Sequence, residues 1–447
     1  MAIDARAREI WRNQRLAMDD ADGDGEWFEA VHAVHQRMLQ ELDLGAIEKL
    51  DTGRAREAVT VAARQLVTQE FPSLLGDDRE RVIKRVIDEA IGFGPIQPII
   101  DDDTVSEVMV NAADEIFYER DGMIYKSPLR FRDNQHIMRI VERIIAPLGR
   151  RVDESAPYVD ARLPDGSRVN IIIPPLVPRA PTMTIRKFRR EKYKVEDLVK
   201  NGTMSKELGE FLRACVRQRL NIVISGGTGT GKTTLLNALS AYVPNTERII
   251  SIEDPIEMKL QQSHVISMEA RPANIEGKNE VTQRDLVRNA LRMRPDRIVI
   301  GEVRGAEAFD MLQAMNTGHE GSLTTVHANS PRDAIFRIEN MVMMAGFDLP
   351  IRAIREQISA ALHLTVQLAR FADGRRRITQ VTEITGREGE TIVMQDIFTF
   401  RQEGIDDKGN VVGRLEPTGI VPSFTDEFSL SGVDLSSMGL GYAEKTR

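Results

Sequence analysis

Apolar residues recur three and four apart over Glu26 to Leu44, Ala55 to Phe71 and Asp78 to Ile91, the period of amphipathic helices. Together these stretches predict a small helical bundle over 26–93. Gly92-Phe93-Gly94-Pro95-Ile96 interrupts the period, and short β-like runs follow at Glu107 to Asn111, Glu115 to Glu119 and Met123 to Lys126. A helical stretch comes next, from Asn134 to Ile145. Asp160 to Asn170 reads as two strands joined by a Pro-Asp-Gly turn, and Thr182 to Phe188 as another strand, so 94–188 is expected to be a smaller α/β domain. Between Arg186 and Lys194 six of nine residues are basic, and Val195 to Met204 is polar, which predicts a linker over 189–204.

From Ser205 to the end, 205–447, apolar strands alternate with amphipathic helices, the pattern of a mostly parallel sheet covered on both faces. Strands are predicted at Asn221 to Ser225, Arg248 to Ile252, Arg297 to Ile300 and Ser322 to Val326, and helix from Pro331 to Leu362. The remainder, with Thr365 to Phe371, Ile378 to Thr385 and Ile392 to Phe400, is β-rich and shows no further chemical motif. The fold class is α/β.

Composition narrows the picture. A chain of 447 residues suits about three domains. Its apolar runs fall short of the ~20 residues that cross a bilayer, the best, Val169 to Val177, being cut by Pro174 and Pro175. The N-terminus alternates charged and apolar residues, which predicts no signal peptide and a cytosolic protein. Residues 1–25 carry the acidic run Asp19 to Asp24 and predict a mobile tail. The single cysteine, Cys215, sits beside Phe211 and Leu212 and excludes an internal disulfide and a cysteine-based zinc site. A net charge of −8 argues against nucleic acid as the partner of the whole chain.

The chemistry gathers at predicted strand ends. Gly226-Gly227-Thr228-Gly229-Thr230-Gly231-Lys232-Thr233 is a phosphate-binding loop lying between an apolar strand and a helix that runs on from Thr234. Backbone N–H groups and the helix N-terminus make such a loop a polyphosphate site. Lys232 would reach the β- and γ-phosphates of ATP, and the Thr233 hydroxyl would hold Mg²⁺. The strand at Arg248 to Ile252 runs into Glu253-Asp254-Pro255-Ile256-Glu257, and that at Arg297 to Ile300 into Gly301-Glu302-Val303-Arg304. Strand ends are where α/β sheets place ligands. Glu302 suits the orienting of an attacking water and stands as a magnesium-shell candidate, or is an ordinary loop glutamate. The aspartate usual before it is Gly301, so Glu253 and Asp254 are candidates for the missing carboxylates, through waters, or are structural. His327, ending the strand at Ser322 to Val326, is either a γ-phosphate sensor or a satisfied core histidine.

Four motifs in this order, the loop, Glu253 to Glu257, Arg294-Pro295-Asp296 to Arg304, and Gly318-His319-Glu320-Gly321-Ser322 to Asn329, resemble the phosphate loop, aspartate box, second acidic motif and histidine box of the type II and type IV secretion ATPases. Gly94 to Asn111 and Asp160 to Phe188 further resemble the CpaF/TadA ATPases of Flp (tight-adherence) pili. The tetracysteine zinc module of type II secretion and type IVa/IVb pilus motors is missing, as the lone Cys215 shows. The resemblance implies a RecA-like ATPase domain joined by a short linker to a PAS-like N-terminal domain, with nucleotide between them, in a homo-hexamer on the cytoplasmic face of the inner membrane, docked on a platform protein. It also implies that the acid at Glu302 polarises water and that arginines of the N-terminal domain, by position Arg168 and Arg186, close onto the phosphates. Arg284, Arg292 and Arg294, on the helix before the Glu302 strand, serve a subunit interface or solvent. The function so implied is a motor that hydrolyses MgATP to assemble, or both assemble and retract, Flp/Tad-type pili, with no nucleic acid and no membrane span of its own. The rival readings are a ring translocase on nucleic acid, drawing on Arg186 to Lys194 but lacking stacking aromatics, another type IV secretion ATPase, and a small-molecule kinase.

Overall fold

The structure is a computed structural model that describes residues 24–41 and 52–430, apart from 121, 164, 189–192, 272, 274–277 and 408, together with 435 and 440. The expected tail falls almost wholly outside the described residues. The chain forms two compact units that meet in sequence at Arg189 and Arg190.

In the first unit, helices α1 (Asp24–Glu41), α2 (Thr52–Glu70) and α3 (Gly76–Ile91) make the bundle, and their apolar stripes bury Val34, Met38, Val67, Val82, Ile83 and Val86 against one another. A short helix, α4 (Gln97–Asp101), leads into an antiparallel sheet of β1 (Val105–Ala112), β2 (Glu115–Arg120), β3 (Met123–Lys126), β4 (Tyr158–Arg162), β5 (Arg168–Ile172) and β6 (Thr182–Arg186). The strand order is β3-β2-β1-β6-β5-β4. Helix α5 (Asn134–Ile145) starts where the Asp133 carboxylate accepts the His136 N–H at 2.7 Å, a cap that satisfies an otherwise orphaned donor. Its buried face, Ile137, Ile140, Val141 and Ile144, joins Val108, Val110, Val169 and Ile171 of the sheet. The bundle expected over 26–93 and the α/β domain expected over 94–188 thus belong to one unit.

The second unit opens with a correction. Val195 to Lys200 is helix α6, with Lys194 and Asp197 closing a reciprocal cap, and Val195, Leu198 and Met204 are buried in the same core as Leu208 and Phe211. The stretch from 195 is therefore part of the second unit, not a linker. Burying these three side chains contributes roughly 1.5–3 kcal/mol each, which no solvated linker would forgo. After α7 (Lys206–Arg217) comes a sheet of nine strands, ordered β15-β14-β13-β12-β7-β11-β10-β8-β9. Its parallel part is β7 (Ile222–Gly226), β8 (Ile249–Glu253), β9 (Val265–Glu269), β10 (Arg297–Ile300), β11 (Leu323–Val326) and β12 (Leu364–Arg370). Strands β13 (Arg376–Glu388), β14 (Thr391–Ile405) and β15 (Val411–Pro417) extend it antiparallel.

Every residue of β7, β8, β10 and β11 is buried, because helices cover both faces. On one face α7 and α8 (Lys232–Ser240) pack Phe211, Leu212, Leu235 and Leu239. The other carries α9 (Gln283–Ala290), α10 (Glu307–Asn316), α11 (Pro331–Met343) and α12 (Ile351–Ala361), through Val287, Leu312, Ile338 and Ile358. The helical stretch over 331–362 is thus two helices, broken at 344–350. Arg297, fully buried, pairs its guanidinium with Glu247 at 2.5 Å and donates to the Gly321 and Val216 carbonyls at 3.0 and 2.9 Å. Cys215 is buried, and burial pushes its thiol up, out of reactive range.

Candidate active site

Strands β7, β11 and β10 are neighbours and β8 lies beside β10, all parallel, so their carboxyl ends share one edge of the sheet. The loop from Gly226 to Gly231 leaves β7 there. Gly229 and Gly231 have φ of 69° and 96°, a left-handed backbone that turns successive N–H groups inward. Lys232 begins α8 almost completely buried, its Nζ donating to the Gly226 and Gly227 carbonyls at 3.0 and 2.9 Å. Thr230 closes the turn by donating to the Gly227 carbonyl at 2.9 Å, and Thr233 and Thr234 follow on the helix, half-buried.

The acids are placed by the neighbouring strands. Glu302 follows β10, and Thr325 on β11 pins that stretch, its hydroxyl donating to the Gly301 carbonyl at 2.7 Å while its carbonyl accepts the Val303 N–H at 2.9 Å. Partial burial pushes the Glu302 carboxyl up. The Arg304 guanidinium, donating to it at 2.8 Å, together with the Lys232 and His327 positions, outweighs burial and holds it below the ordinary glutamate value. Glu302 is therefore an ionised base at neutral pH. His327 bridges the two motifs, with Nε2 3.1 Å from the Thr228 hydroxyl and Nδ1 3.7 Å from Glu302. Burial and then Lys232 hold its pKa below the usual value, so the ring is neutral at pH 7. These contacts set His327 against the phosphate loop rather than in the apolar core.

Glu253 ends β8 at 2 % exposure. Its Oε2 accepts the Glu257 and Met258 N–H groups at 2.8 and 2.9 Å, while Oε1 is buried without a protein partner, and burial raises its pKa. Gly301 lacks the usual carboxylate for a physical reason: a Cβ there would lie 2.9 Å from the Glu253 side chain, so the acid of the adjacent strand fills that space. Asp254, next along, is exposed. No cluster of three His, Cys, Asp or Glu placed to hold a metal occurs among the described residues. Mg²⁺ at a nucleotide site needs no such cage, because it keeps waters and phosphate oxygens around one or two protein ligands. A threonine hydroxyl at the loop and an orphaned buried carboxylate oxygen at the same sheet edge fit that chemistry.

A family of type II/IV secretion system proteins matches residues 89–411, most of the chain. The chain belongs to this family. A Mycobacterium tuberculosis protein provisionally named for conjugal transfer is 36% identical over 323 residues, spanning 71% of this chain and 91% of that one. The conjugal transfer protein TrbB of Rhizobium radiobacter is 32% identical over 293 residues, 64% of this chain and 86% of its own. The type IV secretion system protein VirB11 of Brucella suis is 31% identical over 316 residues, covering 65% and 88%. The molecule is a secretion ATPase of the VirB11-like kind, and its family hydrolyses ATP.

Residues that carry no motif also reach the phosphate loop. In the β12–β13 hairpin, expected to lack chemistry, Arg376 donates from Nε to the Gly229 carbonyl at 2.7 Å, and Arg370 Nη1 approaches the same glycine. Only the basic run Arg375-Arg376-Arg377 after an Asp-Gly turn hinted at them. Arg284, on α9, pairs with Asp310 at 2.7 Å, donates to the Ala345 carbonyl and lies over Phe347, so it is engaged within its own unit. Arg292 and Arg294 lie beyond the end of that helix, a correction to their expected place on it. Arg168 and Arg186 lie in the first unit as cross-strand partners on β5 and β6, and Arg162 on β4 faces Arg168 in turn. Arg186 donates from Nε to the Glu107 carboxylate at 2.6 Å.

Proposed function

We propose that this secretion ATPase is a homo-hexameric motor that hydrolyses MgATP at the inner membrane to drive Flp/Tad-type pilus assembly through a platform protein. The observation that carries the ATPase part is the meeting of the phosphate loop, Glu302 and His327 at adjoining strand ends. Loop N–H groups and Lys232 bind the β- and γ-phosphates. Thr233, with Glu253 and Asp254 behind a water shell, would hold Mg²⁺, which supplies charge neutralisation when bound. Glu302 accepts the proton of the attacking water, and His327 links the state of Thr228 to that base. Arg376 and Arg370 add positive charge at the loop's rim.

The roles of Arg168 and Arg186 draw support from their register. Arg162, Arg168 and Arg186 stand opposite one another on β4, β5 and β6, a row of guanidinium groups of the kind that takes up phosphate. The pilus assignment within the family rests on the resemblance of Gly94 to Asn111 and Asp160 to Phe188 and on the missing tetracysteine module. A second reading, favoured by the names of the relatives, is a conjugal or type IV secretion ATPase. Removing the gene and measuring surface pilin beside conjugal transfer frequency decides between them: loss of pilin with transfer intact supports the pilus motor, and the reverse overturns it.

A further inference from the structure

Gln367 stands on β12 between Val366 and Leu368, both packed in the apolar core, and is itself only 4 % exposed. Its register partner on β7 is Ser225, the residue before the phosphate loop, which in turn pairs with Val326, the residue before His327, on β11. The amide therefore lies at the row of the sheet where the loop and His327 begin. Its Nε2 donates to the Leu368 carbonyl of its own strand and, across the end of β7, to the Ala328 carbonyl, both at 3.3 Å. Ala328 follows His327 directly, so this bond fixes the backbone that carries the imidazole.

The bond closes a circuit round the loop. His327 Nε2 lies 3.1 Å from the Thr228 hydroxyl, Gln367 holds the next residue to β12, and β12 runs into the hairpin from which Arg376 donates to the Gly229 carbonyl at 2.7 Å. The strand also passes close to the loop's first glycine, where a Cβ at Gly226 would lie 2.8 Å from the Leu368 carbonyl oxygen. Packing alone does not call for an amide here. Gln367 Oε1 is buried with no protein partner, as is the hydroxyl of Ser225 in register with it. An unpaired buried acceptor is destabilising, and an apolar side chain of the same shape would fill the place without that cost. What glutamine supplies, and methionine or leucine does not, is the donor to Ala328.

We propose that Gln367 is a positioning residue for ATP hydrolysis: through the Ala328 carbonyl it holds His327 against the phosphate loop, so that the imidazole meets Thr228 and faces Glu302. The inference rests on the reading that His327 links Thr228 to the base. Gln367 acts through His327 rather than on the nucleotide, so its removal slows the reaction without loosening the grip of the loop on phosphate.

Turnover of MgATP by full-length Gln367→Met, Gln367→Leu, His327→Ala and the double variant His327→Ala/Gln367→Met tests this, with ADP affinity and urea unfolding measured on each. Both Gln367 variants are expected to stay folded, because the donor and the unpaired acceptor leave together, and to lower kcat about 10-fold, the scale of one hydrogen bond. ADP affinity should stay within about twofold of wild type, since the loop and Lys232 are untouched. Once His327 is gone Gln367 has nothing left to position, so the double variant should be no slower than His327→Ala. The His327 ring proton, followed by NMR, should titrate at higher pH in Gln367→Met. Burial, Lys232 and Arg337 hold its pKa down against the pull of Glu302, and a ring that leaves the loop escapes them. Wild-type rates in both Gln367 variants beside a slow His327→Ala overturn the inference and leave the site reading standing. Losses that multiply in the double variant, an unmoved His327 titration, or a fall in ADP affinity as large as that in kcat overturn it too, as does loss of folding in both Gln367 variants. A wild-type rate in His327→Ala overturns the site reading and this inference with it.

Discussion

The two sheets of this secretion ATPase place the side chains proposed to act on nucleotide in opposite ways. In the nine-stranded sheet the central parallel strands β7, β8, β10 and β11 are buried along their whole length, so chemistry collects where they end, in short consecutive motifs. The antiparallel sheet of the first unit spreads its arginines along a row that crosses β4, β5 and β6, one residue from each. A parallel sheet writes its site along the sequence, and an antiparallel one writes it across the strands.

That contrast breaks first at the loop. Lys232→Ala should abolish measurable MgATP binding, since its charge on the β- and γ-phosphates has no substitute in the backbone; a fluorescent-nucleotide titration that matches wild type would remove the loop from the site. Next in size is a structural effect. Arg297→Met leaves buried Glu247 with only the half-exposed Arg219, 3.2 Å away, and should cost about 3–5 kcal/mol in urea unfolding. A loss under about 1 kcal/mol would mean that Arg297 does not lock Glu247, Gly321 and Val216 together beneath the strand ends. Arg376→Ala sharpens the comparison from the antiparallel part of the same sheet: turnover should fall about 10-fold with the fold intact, the scale of one charge-assisted contact. A wild-type rate would reduce Arg376 to a brace for the Gly229 carbonyl.

The smallest effect is the most telling for the first unit. Arg168→Ala, in the middle of the row, should lower ATPase activity several-fold while urea unfolding shows the first unit still folded. Arg186→Ala should lower activity similarly with little change in stability, because its pair with Glu107 is exposed and worth about 0–1 kcal/mol. If both variants keep wild-type turnover, the arginine row does not serve the nucleotide.

Much of this architecture was legible in the chain. The phosphate loop announced a strand before it and a helix after it, and β7 and α8 are there. Asn134 to Ile145 showed its period and its Asp133 cap. What stayed hidden depended on contacts between distant residues. Helix α6 spans six residues, too short for a period, and only the burial of Val195 and Leu198 reveals it. Strands β9 and β15 lie at the two edges of the sheet, where partial exposure dilutes the apolar run. The exclusion of a side chain at Gly301 by Glu253, and the approach of Arg376 to Gly229, span strands that are far apart in sequence. Motif spacing cannot encode either.

The central claim is that Glu302, kept ionised by Arg304, is the base and that Glu253, with one oxygen tied to two backbone N–H groups, is a supporting acid. Turnover at saturating MgATP, measured side by side for Glu302→Gln and Glu253→Gln with nucleotide affinity checked in both, tests it most directly. The account predicts retained affinity and at least a ~100-fold lower rate for Glu302→Gln, with a smaller loss for Glu253→Gln. A larger loss in Glu253→Gln would contradict it and move the proton acceptor to β8.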